Sequence, residues 1–97
     1  MLTGKQRAGL RAMANGLETV FQIGKGGIND QLIRQTDELL ELKELVKLRV
    51  LESAPVTARE AANEISESLN AEVVQVIGSR FTLYRESKEH KTIKLRK

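Results

Sequence analysis

Apolar residues first fall into register at Leu10, Met13, Ala14 and Leu17, three to four positions apart, which predicts one stripe of a helix. Thr3 followed by Gln6 is a capping-box pattern that opens this helix, and Asn15-Gly16 closes it. The next run, ETVFQI at 18–23, turns to β-branched and aromatic residues and predicts a strand. Past a glycine-rich junction, Asn29 caps a second helix with Leu32, Ile33, Thr36, Leu39 and Leu40 on one face. Ile28 before that cap and Ile33 after it form a hydrophobic staple. The period then changes to two. In ELVKLRVL at 44–51, Val46, Leu48 and Val50 face one way and Lys47 and Arg49 the other. Pro55 breaks the chain, and Thr57 with Glu60 opens a third helix whose inward positions are Ala61, Ala62, Ile65 and Leu69. EVVQVI at 72–77 and FTLYR at 81–85 read as strands joined antiparallel through a tight turn at Gly78-Ser79.

The predicted order is α-β-α-β-α-β-β, an α/β (α+β-like) fold with a four-stranded mixed sheet. Helices between strands imply right-handed βαβ crossovers. Strand order, and whether both crossover helices share a face, stay open. A length of 97 residues suits a single domain spanning 1–97, with a basic, flexible tail expected over 86–97.

Charge changes the picture more than composition does. The net charge is only +3, but it is unevenly spread. From Ser79 onward, Arg80, Arg85, Lys88, Lys91, Lys94, Arg96 and Lys97 face only Glu86 and Glu89. Lys5, Arg7, Arg11 and Lys25 make the first 27 residues basic as well, whereas the middle is acidic. Two basic ends point to a polyanionic partner, with plain solubility as the alternative. The chain has no cysteine, which excludes disulfides and thiolate metal sites. No apolar run approaches the roughly 18 residues of a membrane span, and MLTGKQRAGL lacks the apolar segment of a signal peptide. A cytoplasmic monomer is expected, with no membrane partner, small-molecule substrate or cofactor.

Catalytic patterns are missing. His90 is the one histidine, and it lies in the basic tail with no nucleophile–acid set around it. No metal-ligand cluster is visible. The segment IGKGGIND at 23–30 also fails the nucleotide fingerprints. No Gly-Lys-Ser/Thr follows Gly24 at P-loop spacing, and Asn29 stands where a dinucleotide fingerprint needs glycine. The chain is therefore read as a non-enzyme.

What the segment does match is Gly-x-x-Gly: Gly24, Lys25, Gly26 and Gly27, directly ahead of a helix. Small residues there let a nucleic-acid backbone lie against the chain, with N–H groups of the first helical turn and Lys25 facing a phosphate. A purely structural tight turn is the competing reading. Asp30 in the first turn already answers the helix dipole, which argues for a phosphate held by the loop rather than on the helix axis.

Taken together, VFQIGKGGIND, ELVKLRVL and VVQVIGSRFTLYR resemble the CRM domain family (chloroplast RNA splicing and ribosome maturation), in particular its small single-domain bacterial YhbY-like members. The resemblance runs from Thr3 to about Lys97. It implies a fold similar to the C-terminal domain of bacterial translation initiation factor three, RNA binding, and association with ribosomal RNA in large-subunit precursors. It places the family's loop on Gly24, Lys25, Gly26 and Gly27, and a second signature on Gly78, Leu83, Tyr84 and Arg85.

The residues themselves extend this candidate surface to Lys47 and Arg49 on one strand face, Arg80 and Arg85 near the ends of the last strand, and Lys88 beyond it. A solvated sheet face is the alternative for Lys47 and Arg49. Phe21 and Phe81 read as core, and Tyr84 as core, rim or stacking platform, so backbone recognition is expected over base stacking. A protein-binding adaptor using the acidic helical face of Asp37, Glu38 and Glu41 is the second functional reading.

Overall fold

In the computed structural model, which describes residues 2–91 and residue 93, three helices and four strands follow the expected order. Helix α1 (Gly4–Ala14) leads to β1 (Phe21–Ile23), α2 (Asp30–Lys43) and β2 (Leu45–Val50). Helix α3 (Ala58–Leu69), β3 (Glu72–Ile77) and β4 (Arg80–Tyr84) complete the chain. The caps are those the sequence spells out. Thr3 and Gln6, and likewise Thr57 and Glu60, satisfy each other's backbone N–H groups, and Asn29 accepts from the Leu32 N–H at 2.8 Å.

The sheet order is β1-β2-β4-β3, with β1 parallel to β2 and the other two pairings antiparallel. Strand β4 thus inserts between the two strands that α3 connects. Helices α2 and α3 lie on one face, closing a core of Ile23, Leu40, Leu48, Ile65, Phe81 and Leu83. Burying each of these larger side chains contributes roughly 1.5–3 kcal/mol. Helix α1 covers the other face only in part, where Leu10 packs with Leu45, Val74 and Tyr84. Arg7 pins it there by donating to the Val73 carbonyl at 2.6 Å and the Glu72 carboxylate at 3.2 Å. Tyr84 is therefore core, and not available for stacking.

Several boundaries differ from expectation. Strand β1 is shorter than 18–23, although the Val20 N–H still reaches the Lys47 carbonyl. Helix α1 does end where Asn15-Gly16 places its stop, with Asn15 as the C-cap, but Leu17 then lies beyond the stripe assigned to it and Met13 is exposed. Strand β2 begins after Glu44, because that residue is a left-handed C-cap with φ 67°. Strand β4 ends at Tyr84, placing Arg85 outside it. A bulge between Val73 and Gln75 interrupts the alternation of β3, so Val73 and Val76 both face the main core. Gly78, with φ 58°, and Ser79 make the two-residue hairpin link.

The tail is not wholly free. Two carboxylates at the end of α2 hold its first residues. Glu44, fully buried, accepts from the N–H groups of Ser87 (2.7 Å) and Ile93 (2.8 Å). Glu41 accepts from the Ser87 hydroxyl and from the N–H groups of Lys88 and Glu89. Lys94, Arg96 and Lys97 lie outside the described residues.

Candidate nucleic-acid interface

The glycine loop sits at the sheet end where β1 and β2 both finish, and the Leu51 N–H closes onto the Ile23 carbonyl beside it. Within the loop, the Gly27 N–H returns to the Gly24 carbonyl at 2.9 Å. The glycines have different reasons to be there. Gly27 has φ 68°, and a Cβ on it would stand 3.0 Å from Pro55, so this position demands glycine for the fold. At Gly24 a Cβ would make only ordinary contacts with Leu51 and Ser53, and at Gly26 it would meet nothing within 4 Å. Packing does not require glycine at either position. Their bareness leaves an exposed backbone ledge with Lys25 projecting from it.

A shallow groove of about 280 Å³ adjoins that ledge. Its walls carry the amides of Gln22, Gln31 and Gln35. Sequence reasoning passed over these glutamines. The i, i+4 spacing of Gln31 and Gln35 just after a helix cap was the available signal.

Gln22 links the ledge to the open sheet face, because it pairs with Arg49, which in turn pairs with Arg80. The ladder bonds from the Val50 N–H to Ser79 and from the Arg85 N–H to Glu44 fix the alternation along β2 and β4. They make Arg49/Arg80 and Lys47/Thr82 non-hydrogen-bonded pairs, the type in which side chains stand closer. Among the described residues, Lys25, Arg49 and Arg80 form no ion pair with an acid. Lys47 is partly committed: its amine donates to the carbonyls of Ala14 at 3.2 Å and Leu17 at 3.4 Å, capping the end of α1.

Arg85 and Lys88 are elsewhere. Leu45 pairs with Tyr84, so the chain beyond β4 leaves from the sheet end opposite the glycine loop. There Arg85 bonds the Asp37 carboxylate at 2.7 Å and the carbonyls of Asp37 and Leu69, each at 3.0 Å, tying α2 to α3. Lys88 follows on the held tail, with its side chain exposed. The acidic face of α2 is engaged internally too, Asp37 by Arg85 and Glu41 by the tail. The Ser87 hydroxyl, then the Glu89 and Lys88 N–H groups, lower the Glu41 pKa from 4.5 to about 2.

The family model for the CRS1 / YhbY (CRM) domain matches residues 2–85. The chain belongs to that family. The CRM domain chain is 44% identical over 95 residues to a Bacillus subtilis (strain 168) protein named "Probable RNA-binding protein YqeI", covering 98% of this chain and 99% of that one. It is 31% identical over 90 residues to a Haemophilus influenzae protein named "RNA-binding protein", covering 93% of this chain and 91% of that one. The solution structure of a Staphylococcus aureus protein superposes with a TM-score of 0.81 at 50% identity, over 99% of this CRM domain chain and 100% of that chain. Among the described residues of this CRM domain, no helix is long and apolar enough to cross a membrane, and no group of acidic, histidine or cysteine side chains is arranged to hold a metal.

Proposed function

We propose that this CRM domain binds RNA, gripping backbone phosphates at the sheet end that carries the glycine loop, and that it serves there as a binding module rather than a catalyst. The observation that carries this reading is the juxtaposition of a bare Gly24–Gly26 ledge with Arg49 and Arg80, cations that no acid of the described chain neutralises. The names of its relatives support the same reading. Lys25 supplies a charge on the ledge, and Arg49 and Arg80 can each offer a planar fork to phosphate oxygens. About four to six phosphate contacts would give a log–log salt slope of roughly −3 to −5.

The ribosomal part of the reading, binding to ribosomal RNA in large-subunit precursors, rests on the family resemblance. Crosslinking in cells followed by sequencing of the attached RNA tests it. Enrichment of large-subunit precursor RNA supports it, and an RNA profile without such enrichment sinks it. Binding to RNA as such is tested by fluorescence anisotropy across salt concentrations. A salt-independent affinity, or no binding, rejects the phosphate grip.

A further inference from the structure

On the sheet face that α1 leaves open, a second groove lies beside the two arginines. It has a volume of about 190 Å³, below the roughly 300–1,000 Å³ of drug-sized sites, so it holds one small ring system. Thr82 lies in it, directly across from Lys47, with Gln75 beside it on β3. Asn15 from the end of α1, together with Arg80 and Ile77, completes the lining. Two features, one in this groove and one at its edge, are unsatisfied within the described chain. Thr82 is fully buried, and its hydroxyl has no hydrogen-bond partner. An orphaned buried hydroxyl is destabilising and calls for a reason. The other feature is the like-charged Arg49/Arg80 pair, in which the buried Nε of Arg49 is also unpartnered. Opposed like charges in a sheet are destabilising unless an anion lies between or over them.

We infer that this groove accepts an unpaired pyrimidine base of the bound RNA, with the attached phosphate over Arg49 and Arg80. The inference rests on the RNA reading above and adds a base-recognising element to it. A base brings what the groove lacks. Pyrimidine carbonyl oxygens accept from hydroxyl, amide and guanidinium donors, and Thr82, Gln75, Asn15 and Arg80 supply all three kinds. Exposed Ile77 forms an apolar shelf for the ring face. The small volume favours one ring over the two of a purine. The Gln75 amide donates to the Asn15 side-chain carbonyl at 3.5 Å; exchanging that long bond for one to the base opens the way to the Thr82 hydroxyl. The glycine ledge offers only Lys25 as a side chain, so it holds backbone while this groove discriminates.

The test uses the full chain and fluorescent oligoribonucleotides of about twelve U, C or A residues, compared by anisotropy. The wild type should prefer U and C over A by at least about fivefold, the lower end of a good base contact. Thr82→Val keeps the shape and removes the hydroxyl. It should melt at a higher temperature, keep its salt slope, and bind the three oligomers within about twofold of one another. Gln75→Ala, on the rim, should narrow the preference without needing the buried site to tolerate a change. Equal wild-type affinities, a preference for A, or full discrimination in both variants overturns the groove while the phosphate grip stands. Absence of any RNA binding overturns both.

Discussion

Arg49 and Arg80 face each other across β2 and β4 as a non-hydrogen-bonded pair, and no acid among the described residues neutralises either one. A sheet built only for stability would not oppose two guanidinium groups at its open end. Replacing one of them, as in Arg80→Gln, should relieve about 0.2–1 kcal/mol of repulsion. For a domain of this size that raises the melting temperature by roughly 1–8 °C. RNA affinity should fall in the same variant. Differential scanning calorimetry and RNA titration then move in opposite directions. A variant that loses both stability and binding would count against the pair as a functional device.

The adjacent loop glycines Gly26 and Gly27 should separate in the same way. Gly27→Ala places a Cβ against Pro55 at a positive φ and should cost at least about 1–2 kcal/mol, read from chemical denaturation. Gly26→Ala meets open space and should leave stability within about 0.5 kcal/mol of wild type. Gly26→Asp should likewise fold normally while binding RNA more weakly, because it puts a negative charge on the ledge. Unchanged binding in Gly26→Asp would reduce the loop to a turn.

Position along the sheet predicts which lysines matter. Lys25→Gln should flatten the log–log salt dependence of RNA binding by about 0.7–0.9, the loss of one phosphate contact. Lys88→Gln, at the far end beyond Tyr84, should leave the slope unchanged. Titrations at four or more salt concentrations resolve the two cases. Equal effects would mean that RNA wraps both ends of the sheet.

Acid should loosen the tail before it affects the sheet. Glu41 titrates near 4.5 when unfolded and at about 2 when folded. Its contribution is therefore complete above about pH 4.5 and is lost as pH falls through 2. Glu41→Gln should remove that part of the acid sensitivity between these values and should increase amide exchange at Lys88 and Glu89 at neutral pH. A wild-type-like pH profile in the variant would show that the carboxylate is not what holds the segment.

Local chemistry made much of this fold legible. Thr3, Asn29 and Thr57 cap helices through bonds that span three residues, so sequence neighbours suffice to predict them. The alternation in ELVKLRVL placed Lys47 and Arg49 on one face because strand geometry permits nothing else. The end of α1 was legible too, since Asn15-Gly16 marks it, whereas the place of Leu17, which continues the helical spacing past that stop, was not. Nor was the committed state of Lys47, whose amine caps a helix 33 residues earlier in the chain.

The sequence by itself determined the element order, the helix starts and the hairpin, because each depends on contacts within a few residues. Only the tertiary structure decided the insertion of β4 between β2 and β3, and with it the locations of Arg80 and Arg85. That one pairing puts Arg80 opposite Arg49 at the loop end and sends Arg85 to bridge α2 and α3 at the other. The pairing of β2 with β4 joins residues more than thirty positions apart, and what selects it is the burial of Phe81 and Leu83 in the main core, a property of the assembled domain.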